Sequence, residues 1–226
     1  MAWDGESPET ACQRNEVGIG AVSRPAVFLD RDGVLVEEIF YSQTGEWEAP
    51  LRPEDVRLIP GAAAAAHRLA EAGYALVLIS NQAAYAKGKT GLRALWLAHE
   101  RFVELLAGEG VRFDAVFYSY GHPEGVVPHF SGPSLDRKPS PYNLFIAAAQ
   151  LDLDLARSWM MGDRESDVAC AHAAGVRAIL VENPRTDLRN APAVIVAKDL
   201  SEAVGHIGTA QLDGPTNKII GAASKT

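Results

Sequence analysis

This chain of 226 residues has few cysteines, no excess of basic residues and no long apolar run. The two cysteines, Cys12 and Cys170, are too few for a disulfide framework and are not spaced as metal ligands are. A formal net charge of −8 argues against a dedicated nucleic-acid binder, because such proteins usually carry excess lysine and arginine. No apolar run reaches the roughly 18 residues of a membrane span, and the first residues lack the regions of a signal peptide. We expect a cytoplasmic protein that acts as a monomer, without nucleic-acid or membrane partners.

What the chain does contain is an alternation of apolar runs and helical patterns. The runs typical of strands are residues 26–29, 75–80, 115–119, 158–161 and 178–181. The helical patterns are residues 61–72, 92–106, 142–151 and 167–174. This alternation predicts an α/β fold, a three-layer Rossmann-like parallel sheet with helices on both faces. We expect the domain to span residues 25–211, between a flexible arm at 1–24 and a flexible tail at 212–226.

Polar side chains follow the predicted strands directly. In parallel sheets the strand ends lie at one edge, and ligands bind outside the carboxyl ends. Asp30 and Asp32 follow the first strand, and Gly33 permits a tight turn close to a ligand. One carboxylate can attack phosphorus, while the other protonates the leaving oxygen and later activates water. Taken alone, this segment is as easily explained by an Asp-Gly turn with solvated acids.

Three further segments carry polar residues suited to the same site. Ser80 ends the second run, and its hydroxyl can hold phosphate oxygens. Lys138 supplies a compact positive charge near phosphate, and Arg137 offers a planar fork for a second anionic group. Asp163 and Asp167 can help hold a hard divalent cation, or else cap a helix, and Asp167 can do both. The four segments together supply what phosphoryl transfer needs, namely a nucleophile, an acid/base, a metal site and positive charge.

The order of these motifs resembles that of the haloacid dehalogenase-like superfamily over about residues 25–200. The aspartate at Asp32 resembles the phosphatase branch of that superfamily. The resemblance implies Asp30 as nucleophile, Asp32 as general acid/base, and Ser80 and Lys138 as further catalytic residues. It also implies Mg²⁺ bound by Asp30, the backbone carbonyl of Asp32 and Asp163, with Asp167 as a ligand or in support.

A closer resemblance is to phosphatases that act on heptose bisphosphate or histidinol phosphate. The matching sequence segments are Phe28–Gly33, Ser80–Gln82, Lys87–Lys89, His122–Gly125 and Arg137–Pro139. The resemblance implies substrate contacts at Asn81, Lys87 and Arg137, with Arg137 on a second phosphate.

Two departures from that group concern its loops. Many members hold a structural zinc before the motif lysine, but here the four corresponding positions contain no cysteine: Ser119, Gly121, Ser134 and Asp136. Such a set cannot replace a thiolate-rich site, so we predict no zinc. Residues 36–60 are longer than in these relatives yet too few for a cap domain. They predict a short flap on an essentially capless enzyme, facing a substrate loop at about 119–137.

Several functions remain open at this stage. Hydrolysis of a sugar phosphate, with a heptose 1,7-bisphosphate losing its 7-phosphate, is the leading hypothesis. Histidinol phosphate is the second, because Glu37 and Glu38 could attract its cationic group. A nucleic-acid 3′-phosphatase is disfavoured by the acidic charge. A scaffold without activity is disfavoured because every motif residue is present.

Overall fold

The computed structural model describes residues 23–185 and 194–212. Within them the strands and α-helices are β1 (Ala26–Leu29), β2 (Ile39–Tyr41), β3 (Glu46–Glu48), α1 (Ala62–Glu71), β4 (Ala75–Asn81), α2 (Leu92–Gly108), β5 (Ala115–Ser119), α3 (Tyr142–Leu151), β6 (Trp159–Gly162), α4 (Glu165–Ala173), β7 (Arg177–Val181), β8 (Ile195–Ala197) and α5 (Leu200–Leu212). Most of the two predicted tails, residues 1–22 and 213–226, lies outside the described residues.

The main sheet has six parallel strands in the order β5-β4-β1-β6-β7-β8. The chain starts at the central strand β1, builds outward through β4 and β5, and then returns to the other side of β1 with β6. The strand order therefore reverses beside β1, where parallel sheets form their ligand crevice. Asp30 directly follows β1, so the sequence enters this crevice at the predicted nucleophile.

The sheet is buried on both faces, as a three-layer fold requires. Because successive side chains of a strand point to opposite faces, Val27 and Leu29 pack into one core with α1, α2 and α5. Phe28 packs into the second core with α3 and α4. The strands are therefore almost continuously apolar instead of alternating, which is why the sequence shows them as short hydrophobic runs. The predicted α/β, three-layer fold is confirmed.

Residues 36–60 form no second core. They contain the antiparallel β2–β3 hairpin and one turn of 3-10 helix at Pro53–Asp55. On one side, Lys89 forms ion pairs with Glu46 and Glu48 of the hairpin. On the other side, the Arg185 guanidinium lies 4.4 Å from the ring centre of Trp47. The hairpin thus leans over the carboxyl edge of the sheet and is attached at both sides.

Some elements differ from the sequence pattern. The edge strand β8 and helix α5 were not predicted, because β8 is only three residues long and two of them are exposed. Helix α4 begins two residues before the predicted Asp167, since its first turn is acidic and polar. None of the helices in residues 23–185 and 194–212 is long and apolar enough to cross a membrane.

Candidate active site

The predicted motif residues converge at the crevice beside β1. The Nζ of Lys138 lies 2.9 Å from Oδ1 of Asp30 and 2.5 Å from Oδ1 of Asp167, and it donates to the carbonyl of Ile79 at 2.9 Å. Lys138 is only 3% exposed, and both carboxylates are buried with it. Burial disfavours the charged amine, but Asp167 and Asp30 outweigh it and raise the pKa of Lys138. Lys138 is therefore a permanent positive charge between two acids.

The backbone of Lys138 is fixed as firmly as its side chain. Asn81, at the end of β4, accepts from the Lys138 amide at 3.0 Å and donates to its carbonyl at 3.1 Å. The predicted substrate residue Asn81 lines the cavity, yet its amide group is engaged with this backbone. Its contact with substrate stays a prediction.

A cluster of three carboxylates lies next to Lys138. Oxygen atoms of Asp30, Asp163 and Asp167 lie within 4.8 Å of one another. Asp163 is fully buried, and its Oδ1 finds no hydrogen-bond donor among the residues that the structure describes. Burial, together with the carboxylates of Asp30 and Asp167, raises the pKa of Asp163 to about 7. Lys138 and the Arg164 guanidinium, whose Nε lies 3.7 Å from Oδ1 of Asp163, do not balance three acids, so the cluster is suited to a hard divalent cation such as Mg²⁺. The residues present therefore fit the metal.

Asp167 combines the two roles that its sequence position left open. Its Oδ2 accepts from the backbone amide of Arg164 at 3.0 Å and so caps the start of α4. Its Oδ1 pairs with Lys138. Both oxygens of Asp167 are thus engaged. Asp30 and Asp163 therefore present the freer oxygens for a cation, and the backbone carbonyl of Asp32 follows Asp30 closely in the chain.

Two glycines allow this crowding. Gly33 has a φ of 82°, and a Cβ there would lie 2.3 Å from Oδ2 of Asp163 and 2.9 Å from Nδ2 of Asn183. A Cβ on Gly162 would lie 2.2 Å from Cγ of Asp167. Neither position has room for a side chain while the acids keep their places.

The second motif aspartate lies in a separate polar cluster. Asp32 accepts from Nε of Arg31 at 2.9 Å and from Nε2 of Gln82 at 2.6 Å. Gln82 also donates to the hydroxyl of Ser80 at 3.0 Å. Asp32 and Ser80 therefore lie on the same side of the crevice, bridged by one amide group.

A cavity of about 520 Å³ opens above these groups. Its walls carry Asp30, Asp32, Ser80, Lys138 and the three predicted substrate residues Asn81, Lys87 and Arg137, together with Trp47, Glu38, Arg164 and His122. The Arg137 guanidinium donates to the carbonyl of Gly121 at 3.1 Å, and no carboxylate accepts from it in the described part of the chain. Burial and the neighbouring Arg164 lower the pKa of Arg137. The cavity thus has an acidic floor and a cationic wall.

Sequence reasoning missed Asn183, and the role that Glu38 has behind the three carboxylates. Asn183 donates to Oδ2 of Asp163 at 2.6 Å and to Glu38 at 3.1 Å. Glu38 also accepts from Arg164 at 2.9 Å and from Arg185 at 2.7 Å. Asn183 follows β7 by two residues, so the rule that functional residues follow strands could have found it. Glu38 carries no such signal, because it lies in the flap.

A parallel sheet with paired aspartates, a buried lysine and an acidic cluster at its carboxyl edge defines a phosphatase of the metal-dependent, aspartate-nucleophile class. Residues 135–203 match the family described as HAD-hydrolase-like. A heptose-1,7-bisphosphate 7-phosphatase of Thermosynechococcus vestitus is 43% identical over 70% of this chain and 79% of its own length. The chain therefore belongs to the haloacid dehalogenase-like phosphatases.

Other relatives agree in sequence and in structure. The heptose-1,7-bisphosphate 7-phosphatase of Vibrio cholerae is 34% identical over 82% of this chain and 97% of its own. A HAD-like phosphatase structure from Mesorhizobium loti aligns with a TM-score of 0.70 at 32% identity, over 83% of this chain and 86% of that one. The heptose bisphosphate phosphatase of B. bronchiseptica, solved with magnesium and phosphate, aligns with a TM-score of 0.67 at 27% identity, over 82% and 99%.

Because a Cβ at Gly33 would meet Asp163, substitution of Gly33 should lower activity more than substitution of Gly45, which has open space around it. Gly33→Ala should lower phosphatase activity at least about 100-fold, because Asp163 must shift by about 1 Å. Gly45, in the flap, has a similar φ of 69° but open space around it. Gly45→Ala therefore carries the same backbone strain, about 1–2 kcal/mol, without touching the site. Steady-state rates and thermal unfolding of both variants test this, and equal loss of activity in both would contradict it.

The crowded carboxylates predict that Mg²⁺ stabilises the fold through Asp163. At 100 times its Kd, Mg²⁺ should add about 2.7 kcal/mol and raise the melting temperature by roughly 5–10 °C. Asp163→Asn should remove most of this rise.

Without Mg²⁺, the Asp163→Asn substitution should change the melting temperature in the opposite direction. A raised carboxyl pKa costs stability as the pH rises from the ordinary carboxyl value to about 7, and the whole cost is present at pH 8. Asp163→Asn should therefore melt above the metal-free wild type at pH 8. Asp152→Asn, at the end of α3, controls for the loss of one charge. An unchanged Mg²⁺ response in Asp163→Asn would refute the assigned ligand.

Proposed function

We propose that this phosphatase removes the 7-phosphate of D-glycero-D-manno-heptose 1,7-bisphosphate by a Mg²⁺-dependent route through an aspartyl-phosphate on Asp30. The observation that carries the proposal is the Asp30 carboxylate, held 2.9 Å from the buried Lys138 and beside Oδ1 of Asp163, which accepts no hydrogen bond from the residues that the structure describes. These groups form the floor of a cavity whose wall carries Arg137. The named activity of the relatives in T. vestitus and V. cholerae supports the substrate.

The first half of the proposed reaction transfers the phosphoryl group to the protein. An oxygen of Asp30 attacks phosphorus while the bond to the sugar oxygen breaks, and Asp32 gives its proton to that oxygen. Lys138 and the hydroxyl of Ser80 hold the phosphoryl oxygens; the Ser80 oxygen accepts from Gln82, so its own proton is free to donate. Asp30, Asp163 and the backbone carbonyl of Asp32 would hold Mg²⁺, which would supply the charge that lets an anion approach these acids.

The second half restores the enzyme. Asp32, now ionised, takes a proton from water as that water attacks phosphorus, and the bond between phosphorus and the Asp30 oxygen breaks. Inorganic phosphate leaves, and Asp32 is again protonated for the next turnover. Lys138 stays charged throughout, because Asp167 and Asp30 raise its pKa.

The cationic wall supports a substrate with a second phosphate. Arg137 and Arg164 face the same cavity, with Lys87 and His122 nearby. The proximity of two guanidinium groups is unfavourable, since Arg164 lowers the pKa of Arg137, and a phosphate placed between them would relieve it.

The acids near the flap do not favour histidinol phosphate. Glu46 and Glu48 already form ion pairs with Lys89. Glu38 already accepts from two arginines and Asn183. Glu37 does not line the main cavity. No acid of this cavity wall is thus left to bind a substrate ammonium group, among the residues that the structure describes.

The loop before Lys138 supports a protein that needs no zinc. The carboxylate Oδ1 of Asp136 accepts from the hydroxyl of Ser119 at 3.1 Å and from that of Ser134. Its backbone carbonyl accepts from Asn143 at 2.9 Å. We propose that these hydrogen bonds attach the loop to β5 in place of a metal, and thereby set the position of Arg137 and Lys138.

The zinc-free loop predicts a simple analytical result. Purified protein should contain well under one zinc per chain, and Asp136→Ala should lower stability by about 1.5–3 kcal/mol because two hydroxyls lose a charged acceptor. Elemental analysis and chemical unfolding measure both. Stoichiometric zinc would contradict the proposal.

The remaining expectations concern the surroundings of the enzyme. We propose that it works as a cytoplasmic monomer on a small phosphorylated substrate and not on nucleic acid. The net charge of −8 supports this, because nucleic-acid phosphates are bound through a surplus of basic groups.

A substrate panel tests the proposed function. Phosphate release from heptose 1,7-bisphosphate should exceed that from histidinol phosphate and from a 3′-phosphorylated oligonucleotide by at least about tenfold in kcat/KM. Asp30→Asn should abolish all of it. Arg137→Met should raise KM for the bisphosphate toward that of heptose 7-phosphate, because the second phosphate loses a bidentate partner. Preference for the amino alcohol, or near-normal activity in Asp30→Asn, would overturn the proposal.

A further inference from the structure

The side chains of Arg31, Asp32 and Gln82 are buried and form a closed ring of hydrogen bonds. Arg31 donates from Nε to Oδ1 of Asp32 at 2.9 Å, and Gln82 donates from Nε2 to Oδ2 at 2.6 Å. Arg31 and Gln82 are joined in turn, since the Arg31 guanidinium donates to Oε1 of Gln82 at 2.7 Å. All three residues are at most 8% exposed. Each oxygen of Asp32 therefore has a fixed donor, and each keeps a second lone pair for a proton.

The ring fixes which way the Gln82 amide faces. Because its Oε1 accepts from Arg31, its NH₂ group must face Asp32 and Ser80. The two hydrogens of that NH₂ group are directed at Asp32 and at the Ser80 hydroxyl, 3.0 Å away. One rigid planar group thus sets the distance between the two residues.

Arg31 is supported from behind by the aromatic residues of β5 and α2. Its guanidinium carbon lies 5.5 Å from the ring centre of Tyr118, at the distance of a cation–π contact. The hydroxyl of Tyr118 lies 3.0 Å from Nδ1 of His99. These contacts leave Arg31 little freedom to move, so Gln82 and Asp32 are held against a fixed cation.

We propose that Gln82, anchored by Arg31, is a positioning residue that holds Asp32 at the leaving-group oxygen while Ser80 holds the phosphoryl group. This inference rests on the proposed function, in which Asp32 is the acid/base. Neither Gln82 nor Arg31 touches the reacting atoms in this account. Their loss should therefore weaken proton transfer and leave phosphoryl transfer itself nearly intact.

Substrates with different leaving groups separate these two effects. A sugar alkoxide needs a proton to leave, whereas 4-nitrophenolate leaves without one. In single-turnover rapid mixing with Mg²⁺, Gln82→Met should slow release of the sugar alcohol about 10–100-fold, part of the 10²–10⁴-fold that an acid/base contributes. Release of 4-nitrophenol in the first turnover should stay within about threefold of wild type, which also shows that the site is folded and loaded.

Two further variants complete the design. Gln82→Leu also removes the donor to Asp32 and adds no ionisable group, so it should show the same selective loss. Gln150→Met makes the same change at an exposed position of α3 and should leave both rates unchanged.

The Asp32→Asn variant distinguishes the possible failures. A selective loss in Asp32→Asn and in both Gln82 variants supports the inference. A selective loss in Asp32→Asn, with equal effects or none on the two substrates in the Gln82 variants, overturns the inference and leaves the proposed function standing. Equal loss on both substrates in Asp32→Asn overturns the acid role of Asp32 and the inference with it.

Discussion

The structure depends on one buried positive charge, the ammonium group of Lys138. It holds Asp30, Asp167 and the carbonyl of Ile79 within 2.9 Å, so the ends of β1 and β4 and the first turn of α4 meet at one atom. Burying this charge unpaired would cost several kcal/mol, and breaking a buried pair of this kind typically costs about 3–5 kcal/mol. The same contact that closes the sheet edge also places the nucleophile.

At this edge of the sheet, the clustered carboxylates outnumber the cationic groups that pair with them when no metal is bound. Lys138 pairs with Asp30 and Asp167, while burial and these two carboxylates raise the pKa of the third acid, Asp163. A divalent cation would remove this imbalance, and an anionic substrate could then approach the acids of the cavity floor. We therefore expect cation binding, stability and catalysis to depend on the same few atoms. The cationic wall around Arg137 lies farther out, where it can select among phosphorylated substrates without disturbing this balance.

The sequence predicted the fold and the centre of the site because both follow a local rule. Apolar runs marked five strands of a buried parallel sheet, and the residues after them lie at its carboxyl edge. The roles of the supporting residues escaped this reasoning because they depend on contacts between distant segments. Glu38 and Asn183 are 145 positions apart, and Gln82 lies 50 positions from Asp32. Nothing local in the sequence distinguishes such residues from ordinary polar ones. The short strand β8 was missed although residues 193–197 form an apolar run.

The central claim is that Asp30 carries the phosphoryl group between the two halves of the reaction. The most direct test is to quench the enzyme with acid during turnover with Mg²⁺ and substrate, and to map the phosphorylated peptide by mass spectrometry. The account predicts a phosphoryl group on Asp30, in the peptide that follows β1. A phosphoryl group on another residue, or a fully active enzyme in which no phosphorylated peptide accumulates even when Asp32→Asn slows the second step, would contradict it.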